Sequence, residues 1–332
     1  MLDKKIEELV NQLKKDFNGT ITISHKGESL YSKAFGYADL EHGILNTLDT
    51  KFRIGSLTKQ FTAAAILKLN EAGKLSLDQT LEDYIADYPR GSEITIHQLL
   101  THSSGIHNYT NFDHFDQMMI KPHSPLDLIA TFKDLPLDFD PGTKHDYSNS
   151  GYAVLGYIIE EASGQTYKSY LEDNFFGPLQ MTSTGYDNPK AIIKNRARGY
   201  EVGEETKVLG NAAYIDMSVP YSAGALYSTG ADLMTWHKAL HGGQVLNEAS
   251  LKLMTSPYTY DGDEYYGYGL YLMCDEDKKV TRIGHDGGID GFLSNYRHLL
   301  DQDLQMVLLT NEIHDEFWTL IDQVEKVIKT MK

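Results

Sequence analysis

The stretch Thr20-Ile21-Thr22-Ile23-Ser24-His25-Lys26-Gly27 decides the architecture. Thr20 to Ser24 alternates with the two-residue period of a β-strand, and Lys26-Gly27 is a turn signal. Leu30 to Tyr37 follows as a second strand, so the segment reads as a hairpin. A two-stranded hairpin is marginal in water and needs further strands or a helix beneath it. The other strand-like segments lie at the far end of the chain: Tyr266–Met273, Lys279–Gly284, Gly291–Leu299 and Leu304–Leu309. Joining the hairpin to them predicts one sheet, antiparallel because short serial connections pair strands that way.

Helices fill the rest. Leu2, Ile6, Leu9, Leu13 and Phe17 recur at helical spacing between charges, which predicts an amphipathic N-terminal helix. A second helix is expected from about Asp315 to Met331, and the two terminal helices should cover one sheet face. A strong helix follows Ile54-Gly55-Ser56-Leu57-Thr58-Lys59 and runs through Leu69 to Ala72, with Gly73 as its C′ residue. Residues 76 to 215 read as short helices and long loops, with helices at Ile94–Leu100, Leu126–Phe132, Gly151–Ala162 and Tyr167–Phe175. Pro89, Gly105, Pro141, Gly142 and Pro178 punctuate this stretch. Helices return at Thr229–His241 and Glu248–Met254. The expected fold class is α/β in the broad sense (α+β): an antiparallel sheet flanked by helices, plus an inserted, mainly α-helical domain. The sheet domain would take residues 1–78 and 215–332, the insert residues 79–214, and the active site the seam between them.

Composition narrows the function. At 332 residues the chain has room for about two domains. Its single cysteine, Cys274, excludes an internal disulfide, a Cys-rich zinc module or an iron–sulfur cluster. With 30 Lys+Arg against 47 Asp+Glu, the net charge of −17 argues against nucleic acid or an anionic membrane as partner. Hydrophobic content of 41% and charged content of 23% are those of a globular protein rather than a disordered chain. No window approaches the roughly 18 apolar residues of a membrane span, and the N-terminal helix lacks the continuous apolar run of a signal peptide. The expected compartment is the cytoplasm for the chain as written, or outside it if a leader has been removed.

Ser56 and Lys59 carry the strongest chemical pattern. A serine hydroxyl is a poor nucleophile until a base takes its proton. At i, i+3 on a helix the two side chains share a face, and Lys59 can serve as base if burial lowers its pKa. The S-x-x-K pattern occurs once in the chain; the plain alternative is a helix-capping serine and a surface lysine. Tyr147-Ser148-Asn149 supplies a tyrosine able to relay a proton and an asparagine able to bond Lys59 and a substrate carbonyl. Y-x-N recurs at Tyr109 and Tyr186, so that pattern alone does not select. Gly284-His285-Asp286-Gly287-Gly288 offers a place where a substrate backbone can approach, or an ordinary tight turn. The backbone N–H groups of Ser56 and Gly288 would form an oxyanion hole. There is no G-x-S-x-G elbow, phosphate loop or H-E-x-x-H zinc helix. His237 and His241, at i, i+4, could offer two metal ligands on a helix otherwise read as solvent-facing, but no third ligand has a telling position. No metal or cofactor is called for.

The three elements, in this order, resemble the active-site signature of serine β-lactamases and penicillin-binding proteins, closest to the branch of class C β-lactamases, D-Ala-D-Ala carboxypeptidases and esterases. The resemblance covers nearly the whole chain. Its framing stretches include Phe52-Arg53-Ile54-Gly55-Ser56, Leu99-Leu100-Thr101-His102-Ser103-Ser104-Gly105, Pro141-Gly142-Thr143 before Tyr147-Ser148-Asn149, Pro178-Leu179-Gln180-Met181 and Gly224-Ala225-Leu226-Tyr227-Ser228-Thr229. It implies a β-lactamase-like fold in which Ser56 is the acylated nucleophile, Lys59 and Tyr147 the proton-transfer pair, and Asn149 a substrate-positioning residue. His285, Asp286 and Gly287 would form one wall of the cleft. The substrate would be a small molecule or peptide: a D-amino-acid peptide, an ester, an amide or a β-lactam. The alternative is a non-catalytic penicillin-recognising sensor of cell-wall peptides. One departure stands out. The third motif of lactamases and carboxypeptidases is commonly Lys-Thr-Gly, whereas here it is His285-Asp286-Gly287. Asp286 would repel a substrate carboxylate and attract an amine, which predicts poor turnover of penicillins and better turnover of neutral esters, amides or peptides with a free amine.

Overall fold

A computed structural model describes residues 2–13, 16–203 and 207–330. The hairpin forms from β1 (Gly19–His25) and β2 (Glu28–Phe35), joined at Lys26 and Gly27, both with positive φ. Two positive φ values in a two-residue loop match the right-handed twist of the strands it joins. β2 ends at Phe35 rather than Tyr37. Gly36 takes a φ of +60° and lies against Asn18, whose Oδ1 accepts the N–H of Tyr37.

The C-terminal strands are β3 (Thr259–Asp261), β4 (Glu264–Tyr266), β5 (Tyr271–Cys274), β6 (Val280–Ile289), β7 (Phe292–Leu299) and β8 (Leu304–Thr310). With the hairpin they make one eight-stranded antiparallel sheet in the order β3-β4-β5-β6-β7-β8-β1-β2. β1 pairs with β8 from Gly19↔Thr310 to His25↔Leu304, so the two ends of the chain meet at a full-length ladder. The segment expected as one strand over Tyr266–Met273 is two. Gly269, at a φ of +69°, turns the chain between β4 and β5 and leaves no space for a Cβ beside the Lys59 carbonyl. Conversely, β6 does not stop at Gly284. It continues through the glycines to Ile289, paired with β7 at Asp286↔Asn295 and Gly287↔Ser294.

Helices cover both faces. α1 (Leu2–Asn11) and the C-terminal α5 (Glu316–Lys329) bury Ile6, Val10, Leu320, Val324 and Ile328 against Ile21, Ile23, Leu293 and Leu308. α1 is shorter than expected. Phe17 lies beyond it in the lead to β1, its ring centroid 5.8 Å from that of Phe35. Met331, expected to end α5, falls outside the described residues. The other face receives α4 (Gly230–His241), whose Trp236 packs on Phe61 and Gln60 of α2 (Thr58–Glu71). α4 comes so close that a Cβ on Gly230 would lie 2.4 Å from Thr22 Oγ1. The stretch between carries short helices and α3 (Asn149–Ser163), which packs on α2. Ser148 caps α3 by accepting the N–H of Gly151. Among the described residues no helix is long and apolar enough to cross a membrane.

Candidate active site

Ser56 sits in a single 3₁₀ turn, Gly55–Leu57, immediately before α2. Gly55 has a φ of +47°, and a Cβ there would lie 2.7 Å from the Gly288 carbonyl oxygen. Only glycine allows this approach, which presses the serine turn onto β6. A second clamp is close by: Ser294 Oγ donates to the Ile54 carbonyl at 2.7 Å, and a Cβ on Gly287 would stand 2.2 Å from both partners of that bond.

One helical turn on, Lys59 is 0% exposed. Its Nζ lies 3.0 Å from Ser56 Oγ, 2.8 Å from Asn149 Oδ1 and 2.9 Å from the Ala223 carbonyl. Burial pushes its pKa well below the usual lysine value, toward the neutral amine. A neutral amine has two N–H bonds and one lone pair. The Asn149 and Ala223 oxygens can only accept, so they take the two N–H bonds, and the lone pair faces the Ser56 hydroxyl. Asn149 is oriented by its other end, since Nδ2 donates to Thr110 Oγ1 at 3.3 Å.

Tyr147 closes the set, its hydroxyl donating to Ser56 Oγ at 2.8 Å. Burial drives the phenol pKa up against the hydrogen bond to Ser56, with Asp286 adding to the rise, so Tyr147 is a neutral donor. Its ring lies on His102, centroids 4.3 Å apart. His102 is itself buried, and its Nδ1 accepts the N–H of Ser148, which aligns the Tyr147 loop with the start of α3. The sequence placed His102 only in a framing stretch; nothing in its spacing marks it as the floor beneath Tyr147. Ala223 contributes a backbone carbonyl, which leaves no side-chain signal at all.

Strand alternation separates the residues of the third motif. His285 and Gly287 face the Ser56 side, opposite Tyr296 and Ser294. His285 Nδ1 donates to the Asp286 carbonyl at 2.6 Å, and Nε2 accepts from Tyr266 at 3.0 Å. Burial, followed by the Lys59 charge, lowers its pKa to about 3, which keeps it neutral. Asp286 points to the opposite face, beside Arg282 and Arg297, and accepts from Asn295 Nδ2 at 2.5 Å. Although its surface is open, protein crowds its carboxyl, and this burial raises its pKa. Asp286 lines a small separate hollow, whereas Ser56, Asn149 and Gly288 line a cavity of about 260 Å³. The remaining wall of that cavity is mostly apolar, including Tyr109, Phe115, Ile215 and Pro220, with Asp290 as its carboxylate.

The other motif candidates lie elsewhere or are already engaged. Tyr109 reaches the cavity but spends its hydroxyl on the Val219 carbonyl, and Tyr186 bonds the Met217 carbonyl. His237 and His241 are not solvent-facing, because α4 packs them onto the sheet, where His237 stacks on Tyr296. Among the described residues, the side chains grouped closely enough to hold a metal are Asp39, Glu41 and His42, without either of these histidines. Cys274 ends β5, its thiol pKa pushed up by burial and Asp275.

The family model described as Beta-lactamase matches residues 2–323. The Bacillus subtilis (strain 168) protein PbpX is 35% identical over 268 residues, which make up 80% of this chain and 65% of that one. The chain thus spans slightly less than two thirds of that relative. A penicillin-binding protein from Bacillus halodurans superposes with a TM-score of 0.86 at 27% identity, covering 99% of this chain and 98% of that one. The D-amino acid amidase from Ochrobactrum anthropi SV3, complexed with L-phenylalanine amide, superposes at 0.85 with 25% identity, covering 99% and 98%.

Proposed function

The chain belongs to the Beta-lactamase family, and on that premise we propose that it is a serine hydrolase that cleaves an amide or ester through an acyl-enzyme on Ser56. The observation that carries this is the position of Ser56 Oγ, 3.0 Å from a buried lysine nitrogen and 2.8 Å from a tyrosine hydroxyl. Lys59 takes the serine proton as Oγ attacks the substrate carbonyl carbon. The N–H groups of Ser56 and Gly288 receive the developing oxyanion; a donor of this kind is worth roughly 3–4 kcal/mol at the transition state. Tyr147 passes a proton to the departing nitrogen or oxygen and is replenished from Lys59. A water then repeats the sequence in reverse on the acyl group, and Ser56 is regenerated. Asn149 holds Lys59 and faces the cavity, where it can also bond the substrate carbonyl.

The apolar cavity favours an acyl group with a hydrocarbon side chain, and the Ochrobactrum enzyme, named for amino acid amides, supports the amide side of the reading. A substrate carboxylate would find no cationic side chain on the cavity wall, which supports neutral substrates over penicillins. This reason replaces repulsion by Asp286, whose side chain lies on the other face of β6. A panel of p-nitrophenyl acetate, nitrocefin, a D-Ala-D-Ala peptide and D-amino-acid amides tests the proposal. We expect turnover of the ester and an amide above that of nitrocefin, lost in Ser56→Ala. Turnover of none of the four would favour the non-catalytic sensor.

A further inference from the structure

Asp290 stands in the two-residue connection between β6 and β7 and lines the cavity that holds Ser56. It is the one ionisable carboxylate on that wall. Among the described residues, no Lys, Arg or His forms an ion pair with it. Burial raises its pKa, and Glu201 and Asp116 add to that, against the lowering influence of a hydrogen bond from its own backbone N–H and of Arg53. Three arginines do lie in the adjoining cavity of about 280 Å³, which shares Asp290 and Ile215 as a wall, but each makes its ion pair with another carboxylate. Arg53 Nε donates to Asp187 at 2.7 Å, Arg196 bonds the other oxygen of Asp187, and Arg198 pairs with Glu41. A half-buried carboxylate without a bonded cation sits at a cost that an incoming cation removes.

We propose that Asp290 is the specificity residue of this cavity, binding the free ammonium group of an amino-acyl substrate whose apolar side chain rests on Tyr109, Phe115, Ile215 and Pro220. The substrate class is then amino-acid amides, and peptides cleaved after a free N-terminal residue; acylating the amine abolishes recognition. This deepens the hydrolase reading and rests on it.

The test compares phenylalanine p-nitroanilide with its N-acetyl derivative, each as both enantiomers, in wild-type protein, Asp290→Asn and Asp290→Glu. Rates are taken per Ser56 that a fluorophosphonate can label, so that misfolded protein is not counted. A second readout needs no turnover: protection of Ser56 from the probe by phenylalanine amide and by N-acetylphenylalanine amide. The expected result is a preference for the free amine of about tenfold or more, collapsing toward unity in Asp290→Asn and kept in Asp290→Glu. Labelling of Ser56 with no amine preference in the wild type, or a preference that survives in Asp290→Asn, overturns the assignment of Asp290 alone. Absence of Ser56 labelling in the wild type overturns the hydrolase reading and this one with it.

Discussion

At the scale of single residues, the proposed chemistry turns on a lysine kept out of water. Lys59 must be neutral to accept the Ser56 proton, and burial lowers its pKa from 10.5, so activity should fall as acid protonates it. Tyr147 must stay protonated, and its pKa is raised above 10. Together these predict a kcat/KM profile with its acidic limb well below 10.5 and no loss up to about pH 10, measured with a neutral ester. A lysine of ordinary pKa would instead give a rate still climbing at pH 10. Tyr147→Phe keeps the ring on His102 but removes the hydroxyl 2.8 Å from Ser56. Its kcat should drop about 100-fold or more with little change in thermal unfolding. The pairing of Ser56 with Lys59 was legible from spacing, whereas Tyr147 and Asn149 were singled out by the Pro141-Gly142-Thr143 context of the resemblance, since Y-x-N recurs at Tyr109 and Tyr186. His102, the Ala223 carbonyl and Asp290 were not, since tertiary packing alone brings them to the site. Asp286 shows the opposite limit: its neighbours in sequence suggested the cleft, and the pleat of β6 turned it away.

At the scale of elements, β6 couples the sheet to the turn that carries Ser56. A glycine-rich stretch reads as a turn because each glycine is free to leave the strand. The ladder to β7 holds it extended, and closeness to Ile54 and Gly55 explains why glycine is needed. The two central glycines should therefore respond differently. Gly287→Ala drives a Cβ into the Ile54 carbonyl and Ser294 Oγ, and should cost about 2 kcal/mol or more in denaturant unfolding, together with activity. Gly288→Ala meets nothing closer than Leu293 Cδ2 at 3.7 Å and should leave stability within about 0.5 kcal/mol. The same physics explains the strand misread over Tyr266–Met273. Its residue types suit a continuous strand, but Gly269 turns back against Lys59, a contact with a residue some two hundred positions earlier.

At the scale of the whole molecule, the ends of the chain build the sheet and the helices that cover it. This much was legible, because a lone hairpin cannot bury its apolar residues and the other segments that read as strands lay toward the C-terminus. What joins α5 to the sheet was not. Glu325 is held by Arg297 at 2.6 Å, Arg282 at 3.2 Å and Lys329 at 2.5 Å. Burial tends to raise its pKa, but the Lys329 hydrogen bond and the two arginines outweigh it and the net shift is downward from 4.5. A depressed carboxyl contributes stability that is present above its unfolded pKa and lost as pH falls through the folded value. Wild-type protein should therefore lose stability below about pH 4.5 more steeply than Glu325→Gln, as read by chemical denaturation at pH 6, 4.5 and 3.5. Parallel curves would show that Glu325 makes no such contribution.

The most direct measurement of the central claim is intact-mass and peptide-mapping spectrometry after reaction with a fluorophosphonate. The account predicts a single adduct on the peptide holding Ser56, absent in Ser56→Ala and much slower to form in Lys59→Ala. An adduct on another residue, or one that persists in Ser56→Ala, would contradict it.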